Sequence, residues 1–194
     1  MENPFMQALS VAADLLVLNA LTLVCSLPLV TAGASFAALH DITGQIVRGE
    51  ESYLVKPFLR SFAANWKKST LLGLMLLAAA ALLYFDYLAA AALAPVFRLP
   101  VAAICFIVLA IAMYAFALLA RYENSLGATL KNAVSLAIGY FPRTLAMVLF
   151  ATVLWLLAIR YYRFGVPILM MFGFSLPCYV NTLFTRGIFD KLES

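Results

Sequence analysis

Five long apolar runs, joined by shorter stretches in which apolar positions recur at helical spacing, set the pattern of this chain. The first run covers residues 9–27 and holds Asp14 and Asn19 as its polar members. Pro28 should stop it, because proline lacks an N–H and pushes the preceding residue out of helical geometry. A short link follows, with Gly33 suited to a turn and Thr31 or Ser35 placed to cap the next helix. Over residues 34–47, Phe36, Leu39, Ile42, Ile46 and Val47 fall on one side of a helix, and Asp41, Gln45 and Arg48 lie on or beside the other. Gly49 suits its C-terminal cap. A second amphipathic piece, residues 57–66, sets Phe58, Leu59, Phe62 and Trp66 on one flank, with Arg60, Lys67 and Lys68 toward water. Both pieces are short and polar for a span, and the pattern predicts that they lie in the headgroup zone with Tyr53 and Trp66 at the interface. For residues 30–47, between Val30 and Val47, a re-entrant path is the alternative.

The second run covers residues 69–92 and the third residues 101–120, with a link between them that carries Arg98. In the polar segment 121–143, Leu126, Leu130, Val134 and Ala137 recur at helical spacing, and Phe141-Pro142 should end that helix. The fourth run is residues 144–159. Arg160-Tyr-Tyr-Arg163 then supplies the aromatic and basic anchors common at a membrane edge. The fifth is residues 164–184, which Pro177 should bend. Twice an amphipathic segment leads through one or two bases into a span, at residues 58–68 and 126–143, a weak internal echo.

The predicted fold is therefore all-α: one integral membrane domain over residues 1–194, a bundle of about five transmembrane helices with cytoplasmic amphipathic helices. With the N-terminus outside, ten Lys and Arg residues fall on the inner side and three (Arg98, Arg160 and Arg163) on the outer. The excess of bases marks the cytoplasmic face, so this count predicts N-out and C-in.

Composition agrees with that class. The chain is 65% hydrophobic and 11% charged, with a mean hydropathy of +1.00. No basic leader or small-residue cleavage site precedes the first run, so it should be retained as a span. The net charge of +4 is spread over membrane edges and does not point to nucleic acid as a partner. Cys25, Cys105 and Cys178 each sit in an apolar run and read as small core residues. With a single histidine and no CxxC, no metal or cofactor pattern is present. Phosphate-binding loops, HExxH and GxSxG are also missing, so no catalytic residues are assigned and the chain reads as a non-enzyme.

Four polar residues in the spans are candidates for intramembrane chemistry: Asp14, Asn19, Asp86 and Asn181. Asp86 lies seventeen residues from Ser69, roughly 25 Å across a core of about 30 Å. It should sit at the outer edge between tyrosines, with Asp14 at a similar depth, in ion pairs or hydrated. Asn19 and Asn181 lie deeper, where hydrogen bonds between helices are expected. His40, beside Asp41, reads as solvated or locally bonded.

Two stretches resemble the YesL family of bacterial integral membrane proteins. The first runs from Leu18-Asn-Ala-Leu through Cys-Ser-Leu-Pro-Leu-Val-Thr-Ala-Gly and Phe-Ala-Ala-Leu-His40, then Val47-Arg-Gly-Glu-Glu, to Phe58-Leu-Arg-Ser-Phe and Asn65-Trp-Lys-Lys-Ser-Thr70. The second holds Arg121-Tyr-Glu-Asn-Ser-Leu, Thr129-Leu-Lys-Asn-Ala133 and Phe141-Pro-Arg-Thr-Leu145. A tyrosine often stands in the family where His40 is here. The resemblance implies a polytopic protein of the bacterial cytoplasmic membrane whose relatives often accompany carbohydrate-uptake ABC transporters. It favours an accessory subunit whose partners are the lipid bilayer and ABC permease subunits or a second copy of the chain. Phe58, Arg60, Phe62, Trp66, Lys67 and Lys68 are the candidate docking residues, and Pro28, Thr31 and Gly33 form the structural turn. A small-solute transporter or channel, or a membrane-bound regulator, are the alternatives.

Overall fold

A computed structural model describes residues 4–50, 53–93 and 95–193. Glu51, Ala94 and the side chain of Lys191 lie outside the described residues. Among the described residues the fold is eight α-helices without a strand: α1 (Pro4–Cys25), α2 (Ala32–Arg48), α3 (Val55–Leu93), α4 (Arg98–Arg121), α5 (Leu126–Gly139), α6 (Phe141–Arg160), α7 (Tyr162–Phe172) and α8 (Ser175–Glu193). Proline sets many of these boundaries. Pro57, Pro100, Pro142 and Pro177 each fall in the first turn of a helix, where a missing N–H costs nothing. Pro142 has no N–H for the carbonyl of Ile138, and Pro177 has none for Gly173; the preceding helix has ended within a residue of each of those positions.

α1, α3, α4 and α6 are long and apolar enough to cross a membrane, and α7 with α8 makes a fifth candidate span bent by 59°. Only 11–28% of each straight candidate's most apolar stretch is buried inside the protein. The rest exposes large apolar side chains such as Phe85, Leu99, Ile107 and Leu156. In water such a surface would drive aggregation; against lipid tails it is solvated.

α2 is the centre of the bundle. It packs against α1, α3, α4 and α8, and Ala34, Ala37, Ala38, Leu39 and Ile42 are buried along it. This overturns the headgroup-zone reading of residues 34–47. Small residues on all sides of the helix let four neighbours approach, so its polar positions end in protein contacts and cavities rather than bulk water. Thr31 does not cap α2. Its hydroxyl donates backward to the carbonyls of Cys25 at 2.7 Å and Pro28 at 2.8 Å, serving the end of α1 instead. Gly33 is not a turn residue either. It lies inside α2 with ordinary helical geometry, and the positive φ among the described residues belongs to Gly49, at 73°, which caps the helix as expected.

α3 is one helix of 39 residues, about 58 Å long. The amphipathic piece and the second span are thus continuous, because Trp66-Lys-Lys-Ser-Thr70 contains no glycine or proline to interrupt them. Gly33 on α2 meets Ser69 and Gly73 on α3, a close crossing of small residues. The second half of the echo is broken: α5 ends at Gly139, and Phe141-Pro142 begins α6 rather than ending α5. Thr129, Ala133 and Leu136 are the buried positions of α5, with Leu126, Leu130 and Ala137 beside them, while Val134 faces outward. The Tyr114 hydroxyl lies 3.1 Å from Thr144 Oγ1, which donates to the Ala137 carbonyl at 3.1 Å, so one hydroxyl pair ties α4, α5 and α6.

Candidate functional site

The ends of α2 and α4 and the middle of α8 converge on a polar cavity of about 350 Å³. Each helix brings an arginine: Arg48, Arg121 and Arg186. Their placement follows from local structure. Arg48 is the last residue of α2, its Nε and Nη2 donating to the Glu50 carboxylate at 2.7 and 3.0 Å. Gly44, one turn earlier, leaves space for the guanidinium; a Cβ there would sit 3.3 Å from Arg48 Nη1. The Arg48 hydrogen bond holds the Glu50 carboxyl below its usual range. Arg186 Nη1 donates to the Val47 carbonyl at 3.0 Å, meeting one of the backbone acceptors that a helix end leaves open. Arg121 lies 5.1 Å over the ring of Phe189.

The remaining wall includes His40, Asp41, Thr182 and Thr185. His40 is partly buried and stacks on Phe116, with ring centroids 6.4 Å apart and planes 9° apart. Asp41 accepts from Gln45 Nε2 at 3.2 Å. The Thr182 and Thr185 hydroxyls donate to the carbonyls of Cys178 and Asn181 one turn back, at 2.9 and 3.0 Å. Among the described side chains that line this cavity, three guanidinium groups stand with one carboxylate.

A second cavity, about 550 Å³, lies on the other side of the α2 terminus, bounded by Gln7, Ser10 and Asp14 of α1 together with Arg48, Glu50 and Arg186. Asp14 is therefore grouped with Arg48 and Arg186, not with Asp86. The sequence reading separated them because it treated α1 as a lone crossing. α2 doubles back along α1 and returns the chain to the level of Gln7. Asp86 is exposed on α3 and makes no ion pair among the described residues; the nearby Arg98 lies over the Tyr87 ring at 5.7 Å instead.

Asn19 is fully buried and spends its amide on the break between α7 and α8. Its Nδ2 donates to the carbonyls of Met170 at 2.7 Å and Leu169 at 3.4 Å. Its Oδ1 accepts from the N–H groups of Phe174 at 2.9 Å and Ser175 at 3.1 Å. Asn181, also buried, donates to the Met113 carbonyl at 3.4 Å across to α4. Both side chains join helices. The bend falls at Gly173-Phe174, one turn before Pro177.

The predicted docking flank divides. Phe58 is fully buried against Leu18, Leu39, Ile42 and Cys178, and Phe62 packs on the same cluster. Neither presents a docking surface, because α2 covers the apolar flank of α3. Arg60, Trp66, Lys67 and Lys68 remain exposed, Lys68 donating to the Asn124 carbonyl at 3.3 Å. Cys178 is a core residue as expected, but Cys105 is exposed. Among the described residues no three His, Cys, Asp or Glu side chains gather as a metal ion would require. Sequence reading missed the arginine cavity, since its members lie 73 and 65 positions apart. The available signal was that Arg48 and Arg121 each close a helix.

The family described as "Protein of unknown function, DUF624" matches residues 15–87, which take in the second half of α1, all of α2 and most of α3. No curated protein and no solved structure matches the chain.

Proposed function

We propose that this is a YesL-type multi-pass protein of the bacterial cytoplasmic membrane, with the arginine-rich end and the first turns of α1 together on the cytoplasmic side. The grouping of Gln7, Ser10 and Asp14 with Arg48 and Arg186 supports this orientation and replaces N-out with N-in. The count of bases is unchanged, since the turn after α1 carries none. In a background lacking Cys25, Cys105 and Cys178, Gln7→Cys should resist an impermeant thiol reagent added to intact cells, while Arg98→Cys should react. Labelling of Gln7→Cys from outside would restore the N-out topology.

On that footing the protein acts as an accessory subunit of a carbohydrate-uptake ABC transporter, its cytoplasmic end meeting the permease. The carrying observation is that Asn19, a deep polar residue that a solute path would use, is committed with both its amide nitrogen and its oxygen to the α7–α8 break. Exposed Arg60, Trp66 and Lys67 on the first turns of α3 form the docking flank. Sugar uptake and recovery of the co-purified permease should both fall several-fold in Arg60→Ala/Lys67→Ala at equal protein level. Arg60→Lys should also weaken recovery, because an ammonium cannot replace a planar fork of donors. Unchanged uptake and recovery in both variants would remove the docking role.

A further inference from the structure

We infer that the apolar slot between α3 and α4, bordered at one end by α2, binds one acyl tail of a phospholipid whose phosphate rests on Arg98. The slot measures about 640 Å³, and no charged side chain lines it. Small residues open it: Ala32, Gly33, Gly73, Ala80 and Ala112 leave space that larger side chains would fill. Phe36, Leu76, Leu109 and Phe116 border that space, and exposed Cys105 lines it from α4. Along α3 the slot runs from Gly73 to Tyr87, about four turns of helix or about 21 Å. One leaflet's share of a hydrocarbon core of about 30 Å is only about 15 Å. A tail lying in the slot is therefore drawn out rather than coiled.

Water finds few polar partners in such a lining, and an empty slot would lose dispersion contacts along its length. A transmembrane helix is too thick to enter, since a cylinder about 10 Å across and as long as the slot occupies about 1,600 Å³, more than twice the space present. A single hydrocarbon tail is slimmer and fits. Tyr84 and Tyr87 stand at the end away from α2, and the Arg98 guanidinium lies over the Tyr87 ring at 5.7 Å. Arg98 is exposed and makes no hydrogen bond or ion pair among the described residues. Its planar fork of N–H donors is therefore open to a phosphate. Asp86 is not part of the lining and stands about 100° around α3 from Tyr87. The site stands apart from the docking role, because the docking flank occupies the opposite end of α3.

The test uses the full chain in a mild detergent, with Cys25→Ala and Cys178→Ala so that Cys105 alone reports on the slot. Phosphatidylglycerol is added to the delipidated protein, and diacylglycerol with the same tails is the comparison lipid. Phosphatidylglycerol should slow modification of Cys105 by an apolar maleimide several-fold and stay bound in native mass spectrometry. Diacylglycerol should do both far less. Arg98→Gln should weaken retention about tenfold. Ala80→Trp, which fills the slot, should abolish it, whereas Leu82→Trp, exposed on α3 outside the slot, should not. Equal retention of the two lipids, an unchanged Cys105 rate, or equal loss in Ala80→Trp and Leu82→Trp would overturn the proposal. So would shielding of Cys105 that needs a co-purified protein, which would give the slot to a partner. The comparison of the two lipids decides even where a tryptophan variant fails to fold.

Discussion

Leucine at position 33 or at position 73 is expected to remove most of the folded protein, with equal severity at the two sites. α2 and α3 cross where these glycines face each other. A Cβ on Gly73 would lie 2.8 Å from the Gly33 Cα and 3.1 Å from its nitrogen. A Cβ on Gly33 would overlap the Ser69 carbonyl and lie 3.0 Å from the Gly73 Cα. In each direction the obstacle is backbone, which cannot swing aside as a side chain would. Extra methylenes in a packed core cost about 1–3 kcal/mol each time they force a shift, and here the helices must separate. That separation would also loosen α2 from its other neighbours. Gly127 is the control, since nothing lies within 4 Å of a Cβ there. The measurement is the monodisperse yield of tagged protein by size-exclusion chromatography in detergent. If Gly73→Leu accumulates like Gly127→Leu while Gly33→Leu does not, position 33 matters for the turn and not for the crossing.

Asn19→Leu should produce the second large loss. It preserves side-chain bulk but strips the α7–α8 break of both its acceptor and its donor. The Phe174 and Ser175 N–H groups and the Met170 carbonyl would then be buried without the partner they have now. Each such group costs about 1–3 kcal/mol, so a destabilisation of about 3 kcal/mol or more is expected. Asn19→Asp keeps an acceptor for the two amides and loses the donor to Met170, and should fall between wild type and leucine. Hydrogen exchange at Phe174 and Ser175 separates this mechanism from a general weakening, because those amides should lose protection before the rest of α8. An Asn19→Leu protein with an unchanged thermal midpoint and unchanged exchange there would mean that the break holds itself.

Sequence alone determined the solvent and the class of the fold. Apolar runs of about twenty residues need lipid around them and must satisfy their own backbone, which leaves helices as the available structure here. Proline and glycine are likewise local in their effect, so the end of α1, the cap at Gly49 and the interruption of the last span were all legible in one pass. The tertiary structure decided what each helix faces. Periodicity marked Phe36, Leu39 and Ile42 as one face of α2, but it could not tell a helix resting on lipid headgroups from one enclosed by four others. Both settings ask for an apolar side, and only the partners differ. The same limit hid the glycine crossing, because Gly33 beside Pro28 looks like a turn until α3 is brought against it. It also hid the arginine cavity: helix ends are natural places for a base, and the sequence does not say which ends meet. Once α2 folds back along α1, Arg48 reaches the level of Arg121 and Arg186 and the N-terminal turns come with it. That contact depends on positions far apart in the chain, each unremarkable where it stands.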